Sequence, residues 1–122
     1  MASAAQQLAQ PLTLPNGSVL PNRLAKSALS ETLGTMDNRV TPALVRLYER
    51  WAKGGTGLLI TGNIMIDRRA LGEPGNVVIE DDRDLALLKA MAEGVARHGS
   101  RLWAQINHPG KQSPKGLNRE NV

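Results

Sequence analysis

Residues 41–63 have the sequence TPALVRLYERWAKGGTGLLITGN, in which a helix pattern runs directly into a strand pattern. Thr41 can cap a helix that begins at Pro42, because the first helical position needs no N–H donor. Apolar side chains recur at i, i+3, i+4 and i+7 and predict one buried helix face, formed by Leu44, Leu47, Tyr48 and Trp51. Two glycines, at 54 and 55, end the helix. The apolar run 57–60 that follows is typical of a strand covered on both faces.

The same alternation of strand and helix continues on both sides of this segment. We predict three strands, at residues 24–29, 58–61 and 102–106, the last of which can begin at Arg101. A second helix is predicted to begin at Asp81 or Asp82 and to end at His98-Gly99. Its buried stripe is predicted to consist of Leu85, Leu88, Met91, Ala92 and Val95. Since neighbouring parallel strands need a long crossover, usually a helix, this order predicts a parallel sheet.

Two short apolar runs around Asn16-Gly17 predict a β-hairpin ahead of the first parallel strand, because both residues tolerate positive φ. A complete barrel of eight strand–helix units typically needs about 250 residues. We therefore predict an α/β fold, a partial TIM (β/α)8 barrel with an N-terminal hairpin and about three β/α units. Residues 1–10 are expected to form a flexible lead-in and residues 11–122 an incomplete barrel domain. A long connection, 63–80, is expected to carry a short extended piece at 76–79.

Composition excludes several classes of function. The chain of 122 residues has no cysteine, which excludes disulfides and thiolate metal sites and is compatible with a cytoplasmic location. Two histidines make a metal site improbable. No apolar run approaches the roughly 20 residues of a membrane span. The formal net charge is +4, but the basic residues are scattered among acidic ones, so we expect a solvated surface and no nucleic-acid partner.

Residues with hydroxyl and amide side chains, together with small residues, lie at the carboxyl end of each predicted strand, where the active sites of parallel barrels are built. The three tips are Ser27-Ala28-Leu29-Ser30, Thr61-Gly62-Asn63 and the segment 105–112. Individually, such serines, threonines and His108 are more often turn residues than ligand contacts. Together they suit a flat heteroaromatic ligand, because the Gln105 carboxamide can both donate and accept and Gly62 permits close backbone contact. Lys26 lies inside a predicted strand, where a lysine can form a Schiff base with a carbonyl substrate, but nothing else in the chain supports that chemistry.

Three motifs in register, NRLAKSALS at 22–30, GLLITGN at 57–63 and QINHPGKQ at 105–112, resemble the N-terminal third of the Old Yellow Enzyme family. The resemblance extends over nearly the whole chain from Leu12 onward. It implies an FMN-dependent oxidoreductase that takes electrons from NADH or NADPH. The hydride would pass from reduced flavin to a small-molecule substrate, an activated alkene.

The resemblance also implies roles for single residues. Ser27, Ala28 and Leu29 match the end of the first strand, whose backbone lines the flavin ring. Ser30 matches a position that hydrogen-bonds near the flavin O4 and N5 edge. Asn63 matches a usually small residue whose backbone contacts the ring, and Gln105 matches a glutamine that pairs with the pyrimidine edge. Thr32 stands where several members place a substrate-facing tyrosine.

The family's substrate-orienting, proton-donating and phosphate-holding groups come from later strands, so we predict no catalytic residue within 1–122 and no turnover by these residues alone. One alternative is a catalytically silent truncated or split fragment, which would act only with a complementary barrel chain or would self-associate. Another is a small module that binds an anionic ligand. That module would need clustered lysines and arginines with stacking aromatics, and the sequence has neither.

Overall fold

The computed structural model describes residues 1–118, and within them six strands and three α-helices are present. The strands are β1 (Leu12–Thr13), β2 (Val19–Leu20), β3 (Ala25–Lys26), β4 (Leu58–Met65), β5 (Val77–Val78) and β6 (Arg101–Asn107). The helices are α1 (Ala4–Leu8), α2 (Pro42–Lys53) and α3 (Leu85–Arg97), and a 3-10 turn spans Gly110–Gln112. None of the helices in this described part has the length and apolar character needed to cross a bilayer.

The hairpin predicted from Asn16-Gly17 is confirmed. Strands β1 and β2 pair antiparallel, with Leu12 opposite Leu20. Gly17 adopts a φ of 84°, and the Asn16 Oδ1 atom accepts a hydrogen bond of 3.0 Å from the Ser18 N–H. The turn chemistry of these two residues therefore closes the hairpin as the sequence indicates.

The parallel sheet is also confirmed, with β4 at its centre. Strand β6 pairs with β4 along one edge, while β3 and β5 share the other edge. Strand β3 pairs with the start of β4, at Leu58 and Leu59, and β5 pairs with its end, at Ile64 and Met65. All three pairings are parallel, as a partial (β/α) barrel requires.

Helices α2 and α3 pack on one face of this sheet. Tyr48 and Leu59 are fully buried there, and Val95 is 1% exposed. The cluster around them consists of Val40, Leu44, Tyr48, Ala52, Leu59, Val77, Met91 and Val95. A smaller cluster of Met65, Leu71 and Val78 lies beside the carboxyl end of β4, with Leu117 packed against it. The main core thus fixes the sheet, and the smaller one lies next to the strand tips.

Strand lengths differ from the sequence prediction. The first parallel strand is only Ala25–Lys26, whereas 24–29 was predicted. Beyond Lys26 the chain still lies against β4, since the Leu29 carbonyl oxygen faces Gly62, but it forms no further ladder pairs with that strand. Strand β4 continues to Met65 rather than stopping at 61, so Asn63 lies inside the strand instead of in the connection. Strand β6 is one residue longer at its carboxyl end than the predicted 102–106.

Helix boundaries differ as well. Helix α3 begins at Leu85, with Asp84 as N-cap, rather than at Asp81 or Asp82. Leu85 and Ala92 were predicted to be buried, but both are exposed, Leu85 at 61%. Residues 1–10 contain α1, which was not predicted. A capping box stabilises it, in which the Ser3 and Gln6 side chains bond each other's backbone N–H groups.

The Asp84 side chain makes no cap hydrogen bond to α3, because it bonds the segment that precedes α2 instead. Its side chain is 7% exposed and accepts hydrogen bonds of 2.8 Å from Arg39 Nε and 3.0 Å from the Val40 N–H. Burial raises the pKa of this carboxyl, but the hydrogen bonds from Arg39 and Val40 outweigh burial, and the net pKa is below the usual value of 3.8. Asp84 thereby ties the start of α3 to the segment that precedes α2.

Replacing Asp84 with asparagine should therefore lower the free energy of unfolding by about 1–3 kcal/mol at neutral pH, because an ionic hydrogen-bond acceptor is lost. Because the folded pKa is lowered, this stabilisation is present above pH 3.8 and disappears as the pH falls through the folded value. Denaturant unfolding followed by circular dichroism at several pH values measures both effects. Asp82→Asn, at an exposed position nearby, is the matched control, and an equal loss in both variants would contradict the assignment.

Candidate functional site

Gly62 lets the segment after β3 lie directly against β4. A Cβ atom at this position would collide with Glu31 Oε1, and it would be 2.5 Å from the Leu29 carbonyl oxygen and 2.9 Å from Ser30 Cα. Only glycine leaves room for that approach. The first two strand tips are therefore in contact, as predicted, with the contact made by the backbone of 29–31.

An irregularity in β4 brings the second and third tips together. The register with β6 shifts between Ile60 and Asn63, and past the shift Asn63 lies opposite Gln105. The buried Thr61 side chain fills the gap in the ladder, because its Oγ1 accepts a hydrogen bond of 3.0 Å from the Gln105 N–H. Such a bulge re-aims side chains at a strand end. Here it places Asn63 and Gln105 side by side, both half-buried.

A continuous line of hydrogen bonds joins three of the predicted site residues. Gln105 Nε2 donates to Asn63 Oδ1 at 2.5 Å, and Asn63 Nδ2 donates to Glu73 Oε1 at 3.4 Å. Ser30 Oγ donates to the same Glu73 oxygen. The structure thus brings Ser30, Asn63 and Gln105 together.

The other predicted residues lie nearby but outside this line. Ser27 and Leu29 are exposed and Ala28 is half-buried. Leu29 contributes its carbonyl oxygen, which faces Gly62, rather than its side chain, which is 63% exposed. These positions are consistent with a backbone role, which remains a prediction.

Glu73 is a site residue that the sequence reasoning missed. It lies in the loop between β4 and β5, where the buried Asn76 side chain accepts hydrogen bonds from the backbone N–H groups of Gly72 (3.1 Å) and Glu73 (2.9 Å). A hydrogen bond of 2.8 Å from the Gly34 N–H to the Gly75 carbonyl clamps this loop against the segment after β3. The sequence feature that could have indicated Glu73 is that it is the single acidic residue in the run Gly72–Asn76, which otherwise consists of glycine and turn-forming residues.

Behind the tips, Tyr48 is the centre of a buried polar network. Its hydroxyl donates to Glu31 Oε2 at 2.9 Å and accepts from the Gly62 N–H and from Lys26 Nζ, each at 3.2 Å. Burial, with the charge of Glu31 as second cause, raises the pKa of Tyr48 far above its usual value of 10. Lys26 also donates to the Ile60 carbonyl at 2.5 Å. Helix α2 is thereby connected to the backbone of the first two tips.

Lys26 has a structural place in this network. Its Nζ atom lies 5.1 Å from the Trp51 ring centroid and 5.2 Å from that of Tyr48. Burial lowers the pKa of Lys26, and the charge of Glu31 partly opposes that effect. Because the ammonium group is held against tyrosine, tryptophan and a carbonyl, the lysine stabilises the strand.

A family model described as the NADH:flavin oxidoreductase / NADH oxidase family matches residues 7–122. Among curated proteins, the chain is 38% identical over 110 residues to the NADH-dependent flavin oxidoreductase iliE of Hypocrea jecorina, covering 87% of this chain and 27% of that protein. It is 37% identical over 106 residues to the NADH:fumarate oxidoreductase of Klebsiella pneumoniae, covering 87% of this chain and 11% of that protein. The chain therefore spans less than a third of the length of these relatives.

Solved structures agree on the fold. The Old Yellow Enzyme homologue of Zymomonas mobilis superposes with a TM-score of 0.80 at 22% identity, covering 91% of this chain and 30% of that one. Morphinone reductase in complex with tetrahydroNAD superposes with a TM-score of 0.78 at 26% identity, again covering 91% and 30%. The partial TIM barrel predicted from the sequence is thus confirmed.

Proposed function

The chain belongs to the NADH:flavin oxidoreductase / NADH oxidase family, and on that premise we propose that it forms the ring-contacting part of an FMN-dependent NAD(P)H oxidoreductase. The observation that carries the proposal is the hydrogen-bonded line from Ser30 through Asn63 to Gln105. These are side chains from three different strand tips, and they meet at the carboxyl end of a parallel sheet. Barrel enzymes place their ligands at that end.

The side chains present fit an isoalloxazine ring. Gln105 keeps its Oε1 acceptor and one Nε2 hydrogen after bonding Asn63, so it can pair with a ring edge that alternates acceptors and donors. The hydroxyl of Ser30 adds a third polar contact. Segment 27–29, in which Ser27 and Leu29 are exposed and Ala28 is half-buried, would lie beside the ring. FMN, when bound, would carry hydride from NADH or NADPH to an acceptor such as an activated alkene.

The chain's own contribution is to place and orient that cofactor. Gln105 would fix the ring edge, and the bulge at Thr61 would hold Gln105 in position. The Tyr48 network would keep the Gly62 backbone fixed while the ring binds. Since no group that could hold an alkene or a phosphate was identified among the predicted site residues, we also propose that residues 1–122 alone do not turn over substrate.

Gln105→Leu tests the function proposed here. In the full-length gene product, the variant should bind FMN about ten- to hundred-fold more weakly. A buried edge atom of the ring loses the Gln105 carboxamide as its hydrogen-bond partner. Quenching of FMN fluorescence during titration measures the dissociation constant. Leucine preserves the side-chain size, so the loss reports the carboxamide.

Gln112→Leu is the matched control, because Gln112 is exposed and lies in the 3-10 turn beyond the tip. It should bind FMN as the parent does. If Gln105→Leu retains FMN as tightly as the parent, the pairing of Gln105 with the ring is wrong. If the parent itself binds no FMN, the proposed function is wrong.

A further inference from the structure

Glu73 is the final acceptor of the hydrogen-bonded line of site residues. Ser30 Oγ and Asn63 Nδ2 both donate to its Oε1 atom, and Gln105 in turn donates to Asn63. A carboxylate can only accept, so it fixes the direction of each of these bonds. A neutral amide at position 73 could both donate and accept, so these hydrogen bonds could then run in either direction.

The direction matters most at Ser30. A hydroxyl has one hydrogen and two lone pairs, and here Glu73 takes the hydrogen. Ser30 therefore presents only acceptor lone pairs to a ligand. Asn63 is oriented in the same way, since its Nδ2 faces Glu73 and its Oδ1 faces Gln105. A ring edge that presents an N–H group fits this arrangement better than one that presents a bare nitrogen or oxygen.

The loop that carries Glu73 is built to hold it in place. Its backbone is pinned by the buried Asn76 side chain on one side and by the Gly34–Gly75 contact on the other. A Cβ atom at Gly34 would be 2.6 Å from the Gly75 carbonyl oxygen, and one at Gly75 would be 2.8 Å from the Thr32 carbonyl oxygen. This close packing fixes the distance between Glu73 and Ser30.

We propose that Glu73 is a positioning residue that makes Ser30 a hydrogen-bond acceptor and so selects a ligand ring edge carrying N–H groups. The ligand part rests on the proposed function. Oxidised isoalloxazine has a single ring N–H group, at N3, whereas the reduced ring has at least one more. Glu73 therefore favours binding of the reduced flavin over the oxidised flavin.

The first experiment needs no flavin. In protein labelled with ¹⁵N at asparagine and glutamine, Glu73→Gln should shift the side-chain amide resonances of both Asn63 and Gln105. Glu93→Gln, at an exposed position of α3 paired with Lys89, is the matched control and should leave both unchanged. Unchanged Asn63 and Gln105 resonances in Glu73→Gln would overturn the positioning role.

The second experiment compares dissociation constants for FMN and for dithionite-reduced FMN. In the parent, reduced FMN should bind more tightly, and Glu73→Gln should decrease this preference about five-fold, because the new amide can donate to Ser30 and release its hydroxyl hydrogen. Glu73→Gln also removes a negative charge near the ring. That change by itself favours binding of an anionic reduced ring. The Ser30→Ala background separates the two effects, since only the charge effect persists there.

The inference is supported if Glu73→Gln shifts the ratio of the two dissociation constants further toward the oxidised form in the parent than in the Ser30→Ala background. An equal change in both backgrounds would overturn it. Failure of the parent to bind either form would contradict the proposed function and the ligand assignment. The amide resonances would still decide whether Glu73 orients Asn63 and Gln105.

Discussion

Replacing Gly62 with alanine should lower the free energy of unfolding by about 3 kcal/mol, the upper end of what overpacking usually costs. The added methyl group would collide with the Glu31 carboxylate and lie 2.5 Å from the Leu29 carbonyl oxygen. The methyl group has no free space, because Gly62 lies within β4 and the backbone of 29–31 packs directly against it. The segment 29–31 must move outward, and Ser30 moves with it, so binding of FMN should weaken as well.

Urea unfolding of the variant measures the loss, with Gly54→Ala as the control. Gly54 has a φ of −71°, and a Cβ atom there would come no closer than 3.4 Å to its neighbours. Alanine should therefore be tolerated at that helix end. If Gly62→Ala unfolds at the same urea concentration as the parent, the close packing of the first two strand tips is wrong.

Tyr48→Phe should cost about 3 kcal/mol of unfolding free energy, because one hydroxyl bonds the buried Gly62 N–H and two half-buried charged groups, Lys26 and Glu31. Without it, Lys26 keeps the Ile60 carbonyl as its acceptor, while the Gly62 N–H and the Glu31 carboxylate each lose a bond. The ring of phenylalanine still fills the core. The loss therefore reports the polar network rather than a cavity.

The contribution of the Tyr48 hydroxyl to the free energy of unfolding should decrease at high pH. The folded pKa of the phenol is raised above its usual value of 10, so its contribution is complete below pH 10 and is lost as the pH rises toward the folded value. The stability difference between parent and Tyr48→Phe should accordingly narrow above pH 10. A double-mutant cycle with Glu31→Gln isolates the hydroxyl–carboxylate bond, and additive effects of the two changes would contradict that bond.

Local sequence signals predicted the elements whose structure is determined locally. Asn16-Gly17 closes its hairpin, and the cap at Thr41 with the glycines after Lys53 places α2 within a residue of the prediction. The continuous apolar run that begins β4 is buried on both faces, as a central parallel strand must be. Periodicity and turn chemistry were sufficient for these parts.

The remaining differences come from contacts between residues far apart in the chain. Strand β3 is limited to the two residues that pair with Leu58 and Leu59 of β4, which lie far along the chain from it. Helix α3 begins at Leu85 rather than at Asp81 or Asp82, and the side chain of its N-cap residue Asp84 bonds Arg39 and Val40 instead of the helix. Neither partner is visible in a local pattern.

The site shows the same division. The resemblance pointed to Ser30, Asn63 and Gln105, and the structure places them in one hydrogen-bonded line. Glu73 completes that line but has no distinguishing motif, since an acidic residue in a loop rich in glycine is usually solvated. Its position depends on the packing of Gly34 against Gly75, which only the folded chain reveals.

The most direct test of the flavin-site assignment is a crystal structure of the gene product grown with FMN. We predict the isoalloxazine ring at the carboxyl end of β4 and β6, with its pyrimidine edge paired to the Gln105 carboxamide and Ser30 Oγ in contact with the ring. A ring bound at another face of the sheet, or bound here without contact to Gln105 and Ser30, would contradict the assignment.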